Sequence, residues 1–198
     1  FHRSTEGGTL RIALLSYRSK PHCGGQGVYV RHLSRELAEL GHTVEVFSGQ
    51  PYPELDEGVT LTKVPSLDLY RDPDPFRTPW PNEYRDLLDV EEVLTMWTAG
   101  FPEPKTFSKR VARLLKDRRG DFDLVHNHID WLPLAFSAHC RAPLLTTVHG
   151  FSGPNILPAY RSGRSHYVSI SDADRSPDLD YVATVYHGVD LEGLPFDP

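Results

Sequence analysis

The sequence is poor in cysteine, in long apolar runs and in excess positive charge. Its 198 residues include only Cys23 and Cys140, too few for a disulfide framework, so we expect a reducing, cytoplasmic compartment. No apolar run approaches the roughly 20 residues that cross a bilayer, and residues 1–10 lack the apolar centre of a secretory signal. Lys and Arg number 21 against 27 Asp and Glu, and the resulting net charge of −6 disfavours general nucleic-acid binding.

Two common fingerprints of nucleotide binding are also missing or incomplete. The sequence GQG at 25–27 begins a dinucleotide fingerprint, but Val30 stands where its third small residue belongs. The second predicted strand runs into FSG at 47–49 without the acid that would hold a ribose. A nicotinamide-dependent oxidoreductase is therefore a weak alternative. No G-K-[ST] sequence is present, which argues against a P-loop.

The patterns that are present alternate between strand and helix. Residues 10–16 form a nearly continuous apolar run, typical of a strand buried on both faces, and residues 27–40 repeat apolar side chains at helical spacing. Further strands are predicted at 43–47, 59–64, 122–126, 144–148, 167–170 and 181–186. Strands that alternate with helices predict an α/β fold with a doubly wound parallel sheet of about seven strands.

Residues 51–104 differ in composition from the rest of the chain, because 9 of the 17 prolines lie there. We interpret this segment as an insertion. One helix, capped by Asn82 and running through Trp97, is predicted within it, and a second helix, containing Phe107, is predicted after it. Its large side chains Trp80, Trp97 and Phe101 are candidates for acceptor recognition, with structural packing as the alternative. The following segment, 105–119, carries seven basic residues and one acid, which indicates a solvated helix face or contact with an acidic surface.

A glycine-rich stretch, CGGQGVY at 23–29, lies between the first strand and the first helix. Glycines let a ligand approach the backbone closely, and the free N–H groups of a helix start favour an anion. The stretch therefore predicts a phosphate site, and a simple connecting turn is the alternative. Cys23 as a nucleophile has no supporting local signature.

Polar side chains follow two other predicted strands. The sequence DLVHNHIDW occupies 123–131 and TTVHG occupies 146–150, where strands run out at the carboxyl edge of the sheet, the edge that binds ligands in open α/β folds. His126 and His128 could share a face as zinc ligands, but no further ligand is close at metal-site spacing. His149 is a candidate for function, although a strand-end histidine is often structural.

Taken together, these motifs resemble those of family-4 glycosyltransferases with the two-domain GT-B fold, similar to sucrose-synthase-like enzymes and actinobacterial sugar transferases. The resemblance rests on motifs in a shared order, namely GGQGVYV at 24–30, LSREL at 33–37, GHTVEV at 41–46, DLVHNH at 123–128 with Trp131, TVHG at 147–150, SIS at 169–171 and HGVD at 187–190. One departure is His187, where the family usually has Asn.

The resemblance implies a role for each motif. Gly24, Gly25, Gln26 and Gly27 would form a backbone cradle near the donor diphosphate and the acceptor, and His149 would act in catalysis by contacting the donor sugar. The residues implied on the acceptor side are Asn127, His128 and Trp131, and those at the cleft edge are Ser171, His187 and Gly188. Transfer with retention is implied, without a metal or other cofactor, the leaving diphosphate being stabilised by dipoles and cations.

The resemblance also implies a domain organisation. Residues 1–9 would be an extended or disordered lead, 10–194 a Rossmann-like domain forming one half of a GT-B fold, and 195–198 the start of an interdomain linker. The C-terminal donor-binding domain would be a partner that this chain lacks, alongside a nucleotide-sugar donor and a sugar or small-molecule acceptor. Contact with the inner membrane face would be peripheral. The main alternative is a non-catalytic sugar- or nucleotide-binding module.

Overall fold

The computed structural model describes residues 8–19, 25–150 and 153–188, with no side-chain description at 25, 26, 132, 136 and 139. Seven strands occur in this part of the chain: β1 (Arg11–Ser16), β2 (Thr43–Ser48), β3 (Thr60–Lys63), β4 (Leu124–Asn127), β5 (Leu144–Val148), β6 (Ser165–Ser169) and β7 (Tyr181–Thr184). All pair in parallel, in the order β3-β2-β1-β4-β5-β6-β7. The prediction of a doubly wound, Rossmann-like parallel sheet is confirmed.

Four α-helices accompany the sheet: α1 (Gly25–Glu39), α2 (Leu87–Thr98), α3 (Glu103–Asp117) and α4 (Leu157–Ser162). Short 3-10 helices occupy Leu69–Arg71, Pro81–Glu83, Leu132–His139 and Pro154–Ile156. Helix α1 begins at Gly25, two residues earlier than the sequence predicts. It is followed by Gly41, whose φ of +89° is a left-handed conformation that glycine adopts without steric cost.

Strand β1 lies at the centre of the sheet and is buried on both faces. Ile12 and Leu14 pack with Val30 of α1 on one side of the sheet. Leu15, together with Ala13, packs with Phe107 of α3 on the other side. Because successive side chains of a strand point to opposite faces, a continuous apolar run is what this double covering requires.

Helix α2 begins at a different residue from the one that the sequence predicts. Asp86, and not Asn82, is its N-cap, and the Asp86 carboxylate accepts hydrogen bonds from the backbone N–H groups of Leu88 and Asp89. Asn82 lies instead in the 3-10 helix Pro81–Glu83. That turn is closed locally, because the Glu83 carboxylate accepts from the backbone N–H of Trp80 at 2.9 Å.

The segment 105–119 forms most of α3, and several of its basic side chains pair with acidic residues of the protein itself. Arg110 is 10% exposed and pairs with three acids of the α2 region: Asp86, Asp89 and Glu92. Lys105 and Lys109 both contact Glu91. This part of α3 therefore fastens the insertion to the sheet domain, which accounts for much of its charge without an external acidic surface.

The helices that the structure describes include none long and apolar enough to cross a membrane.

Candidate functional site

A cleft of about 630 Å³ opens at the carboxyl edge of the sheet. Its walls come from the segments after strands β1, β4, β5, β6 and β7 and from the start of α3. They are formed by Tyr17, Pro104, His128, Ile129, Asp130, Trp131, His149, Gly150, Ile170 and His187. The strand order reverses between β1 and β4, so this edge is where open α/β sheets bind ligands. The predicted strand-end motifs therefore converge in one place.

Two histidines meet in the floor of the cleft. Nδ1 of His128, directly after β4, lies 3.1 Å from Nε2 of His149, directly after β5. The His128 side chain is only 2% exposed, whereas His149 is half-buried. A hydrogen bond of this kind needs one protonated and one unprotonated nitrogen, so each ring constrains the tautomer of the other.

Tyr29 of α1 contacts three histidines of the cleft. The sequence pattern did not single it out. Its ring centroid lies 5.3 Å from that of His128, 5.0 Å from His149 and 4.5 Å from His187. Its hydroxyl forms a hydrogen bond with Thr147 of β5. Tyr29 lies four residues before Leu33 of the apolar stripe, and this spacing could have placed it on the sheet-facing side of α1.

Burial favours the neutral form of the cluster formed by His126, His128 and His149. It lowers the pKa of His149 to about 4, and the neighbouring His187 adds to this effect. Burial likewise lowers the pKa of His126 to about 4, with His149 contributing, and puts the pKa of His128 well below its ordinary value. Nε2 of His126 lies 2.9 Å from the hydroxyl of Thr147. Near pH 7 the cluster therefore offers hydrogen bonds and no positive charge.

The residues that the resemblance implies on the acceptor side occupy different surroundings. Trp131 is half-buried and lines the cleft as expected. Asn127 is fully buried, and its amide donates to the Asp130 carbonyl and to Thr146, while its oxygen accepts from the backbone of Ile129. Asn127 thus organises the loop after β4 and presents no surface to an acceptor. His128 is a buried part of the cleft wall.

The three residues that the resemblance implies at the cleft edge also differ in their surroundings. His187 is exposed, lines the cleft and contacts Tyr29, in spite of being the departure from the family pattern. Gly188 follows it and is exposed. The Ser171 hydroxyl donates to the Asp174 carboxylate at 2.6 Å, so it caps a local turn beside the cleft.

The predicted glycine cradle is described only in part. Gly24 lies outside the described residues, as does Cys23. Gly25, Gln26 and Gly27 form the first turn of α1, whose backbone N–H groups are those a helix leaves without internal acceptors. Since Tyr29 in the next turn touches three cleft histidines, this helix start lies beside the cleft.

The part of the chain that the structure describes contains no group of three or more His, Cys, Asp or Glu side chains arranged to hold a metal ion. His126 and His128 are adjacent, with ring centroids 4.2 Å apart. His126, however, directs Nε2 to Thr147, and His128 directs Nδ1 to His149. The predicted adjacency is correct, and it serves packing and hydrogen bonding.

Comparison with known families decides the affiliation of this chain. The sequence model of Glycosyltransferase Family 4 matches residues 23–192, a span that includes the cleft histidines His128, His149 and His187. The chain belongs to Glycosyltransferase Family 4. This family-4 chain is 71% identical over 142 residues to the MMP alpha-(1->4)-mannosyltransferase of Mycolicibacterium hassiacum, a match that covers 71% of the chain and 34% of that protein.

Among solved structures, the family-4 chain is similar to alpha,alpha-trehalose 6-phosphate synthase from Burkholderia multivorans. The sequence identity is 20% and the TM-score 0.49, over 92% of this chain and 49% of that one. The matched region thus spans about a third of the curated relative and about half of the structural neighbour.

Proposed function

We propose that this family-4 chain forms the acceptor-side half of a nucleotide-sugar-dependent glycosyltransferase. The observation that carries the proposal is the meeting of His128, His149 and His187 with the start of α1 in one cleft, inside the region that the family model matches. A binding module would need only a pocket. A pair of neutral imidazoles in mutual hydrogen-bond contact supplies, in addition, a group of fixed orientation for a reacting sugar.

The transferred sugar in this proposal is mannose, joined by an α-(1→4) bond. The support is the relative with 71% identity, an alpha-(1->4)-mannosyltransferase. Transfer proceeds with retention at the anomeric carbon, as the resemblance implies. The donor nucleotide is held largely by a second domain in this proposal, and the match covers 34% of the length of that relative.

His149 takes the central role. Its Nε2 faces His128, so Nδ1 is the ring nitrogen that we assign to a hydroxyl of the donor sugar. If His128 donates from Nδ1, neutral His149 must carry its own proton on Nδ1 and can donate it to the sugar. A donor hydrogen bond that shortens as charge develops in the transition state accelerates the reaction.

The start of α1 takes the donor diphosphate. Gly25 and Gly27 expose backbone N–H groups there, and Gly24 would extend the cradle. Because neutral His128 and His149 carry no positive charge, stabilisation of the leaving diphosphate falls to these dipoles and to cations of the second domain. A metal ion plays no part in this proposal. Cytoplasmic location and peripheral membrane contact stay predictions.

A donor screen tests the proposal. The full-length protein that contains this chain is incubated with α-(1→4)-manno-oligosaccharides and a panel of nucleoside diphosphate sugars, and both released nucleotide and product linkage are measured. We expect release with a mannose donor and a new α-(1→4) bond. Binding of donor and acceptor without release from any donor would favour a non-catalytic module.

A further inference from the structure

Three aromatic rings in successive contact form a row from the cleft wall to the insertion. Tyr17, directly after β1, lines the cleft, and its ring centroid lies 6.0 Å from that of Phe101. Phe101 in turn lies 5.1 Å from Tyr70 of the 3-10 helix Leu69–Arg71. Both contacts are edge to face, with interplanar angles of 77° and 73°. We call Tyr17, Phe101 and Tyr70 the aromatic ledge.

The outer part of the aromatic ledge is exposed to solvent. Phe101 is 47% exposed and Tyr70 is 57% exposed, although apolar rings of this size are usually covered. Tyr17 is half-buried at the inner end, against Phe107 of α3. The ledge therefore runs outward from the candidate site and does not form a separate patch.

Arg18 fixes the three rings in place. Its guanidinium carbon lies 5.6 Å from the ring centroid of Tyr17, 5.2 Å from that of Tyr70 and 5.7 Å from that of Phe101. The same guanidinium pairs with Asp68 at 3.2 Å. A cation that contacts three rings and one carboxylate joins the end of β1 to the insertion through cation–π contacts and charge.

The backbone of the ledge is anchored as well. The N–H of Tyr70 donates to Oε1 of Glu103 at 3.1 Å, and Glu103 is almost fully buried at the start of α3. Rings held in this way lose little further freedom when a ligand packs on them, so the ledge is preorganised for binding. Preorganised, exposed aromatic surface next to a reaction cleft is typical of a binding subsite.

A pyranose ring fits this surface. One of its faces presents mainly C–H groups, which pack on aromatic rings, while its edge presents hydroxyls to water and to polar neighbours such as Arg18 and Asp68. An acceptor bound with its reacting sugar beside His149 would direct its remaining sugars out of the cleft. The route along Tyr17 leads to Phe101 and Tyr70.

We propose that the aromatic ledge is an acceptor subsite that binds sugars beyond the reacting one, so that the preferred acceptor is an oligosaccharide and not a monosaccharide. The proposal rests on the proposed function for the identity of the reaction. It adds the part of the insertion that selects the acceptor, namely Tyr70 and Phe101.

Acceptor length is the variable that tests the ledge. In the full-length protein, KM is measured for α-(1→4)-linked mannose acceptors of increasing length, from mannose to the tetrasaccharide. We expect KM to fall with length, and Phe101→Ala to raise KM for the tetrasaccharide about tenfold while leaving mannose unchanged.

Trp80→Ala is the matched control, because Trp80 is a 75% exposed aromatic of the same insertion outside the ledge. It should leave the length dependence intact. A wild-type KM that is independent of length, or an equal loss for mannose and the tetrasaccharide in Phe101→Ala, would overturn the proposal. So would concentration-dependent dimerisation or vesicle binding that Phe101→Ala abolishes without changing oligosaccharide binding.

Direct binding separates this proposal from the proposed function. Titration calorimetry with the tetrasaccharide and the full-length protein reports on the ledge whether or not sugar is transferred. Tetrasaccharide binding that Phe101→Ala weakens, without transfer from any donor, would support the ledge and reject the enzyme. Transfer without any dependence on acceptor length would support the enzyme and reject the ledge.

Discussion

Nδ1 of His128 and Nε2 of His149 lie 3.1 Å apart, and the first of these rings is buried while the second reaches the cleft. This contact links a ring that is almost fully buried in the cleft wall to one that is half-buried and more open to a substrate. It also couples the two tautomers: when His128 donates from Nδ1, the proton of neutral His149 lies on Nδ1. His128 is therefore a positioning residue in the proposed reaction, acting through His149.

Substitution of His128 tests this relationship. Asn places an amide N–H close to the position of Nδ1 and can still donate to His149, whereas Ala cannot. We expect His128→Asn to retain most of kcat and His128→Ala to lose about 10- to 100-fold, with KM for the donor little changed. The nitrogen chemical shifts of His149 should report the Nδ1–H tautomer in wild type and His128→Asn. Equal losses of kcat in both variants would argue against a role in positioning.

The buried histidines predict how stability changes with pH. The pKa of His126 and of His149 is lowered to about 4 from 6.5 by burial, so below pH 6.5 the unfolded chain binds protons that the folded chain does not. The free energy of unfolding should therefore fall between pH 6.5 and 4, by up to about 1.4 kcal/mol per pH unit for each such histidine, and should not depend on them above pH 7.

Urea unfolding of the chain at a series of pH values measures this slope. His126→Gln should make the slope shallower, because one of the suppressed protonation sites is gone. His166→Gln is the matched control, since the His166 side chain is exposed. A slope that is unchanged in His126→Gln would mean that this ring is not shielded from protonation in the folded protein.

A third prediction concerns the attachment of the insertion. Asp89 and Glu92 of α2 are fully buried, and both pair with Arg110 of α3. Arg110→Met keeps the volume but leaves buried Glu92 without its cation and leaves buried Asp89 with Arg85 alone, so we expect a loss of about 3–5 kcal/mol in the free energy of unfolding. Arg113→Met, at an exposed position of the same helix, should change it by less than about 0.5 kcal/mol. Similar values for the two variants would contradict the fastening role of Arg110.

Much of the fold could be predicted because each strand carries a local signal. The apolar run at 10–16 and the run at Leu144–Val148 correspond to β1 and β5 with errors of at most one residue. The cap of α2 could not be predicted as reliably, because Asn82 and Asp86 are both good capping residues. The choice between them depends on the turn that Glu83 closes.

The site could be predicted as a set of strand ends but not as a set of contacts. His128 and His149 were expected near the cleft because parallel strands end at one edge, and His187 was expected there because of the family resemblance. The Asn127 side chain forms hydrogen bonds to Asp130 and Thr146 and is therefore held within its own loop. The sequence pattern does not show these contacts. Phe101 was named from the sequence as a candidate for acceptor recognition, but its grouping with Tyr17 and Tyr70 was not predicted, since it joins β1 to residues more than fifty positions away.

The chain on its own should transfer no sugar. A site shared between two domains loses the positioning of the donor and the stabilisation of the leaving group when one domain is missing. Release of nucleoside diphosphate from a panel of donors measures this for the 198-residue chain beside the full-length protein. Clear turnover by the chain alone would show that the reaction needs no second domain.

The most direct test of the central claim is the effect of His149→Ala on kcat of the full-length protein, with the melting temperature measured on the same preparation. Because His149 is half-buried and its proposed role is a hydrogen bond that strengthens in the transition state, we predict a loss of about 10²-fold or more in kcat with little change in melting temperature. Normal kcat with a strongly lowered melting temperature would contradict the account, because it would make His149 a packing residue.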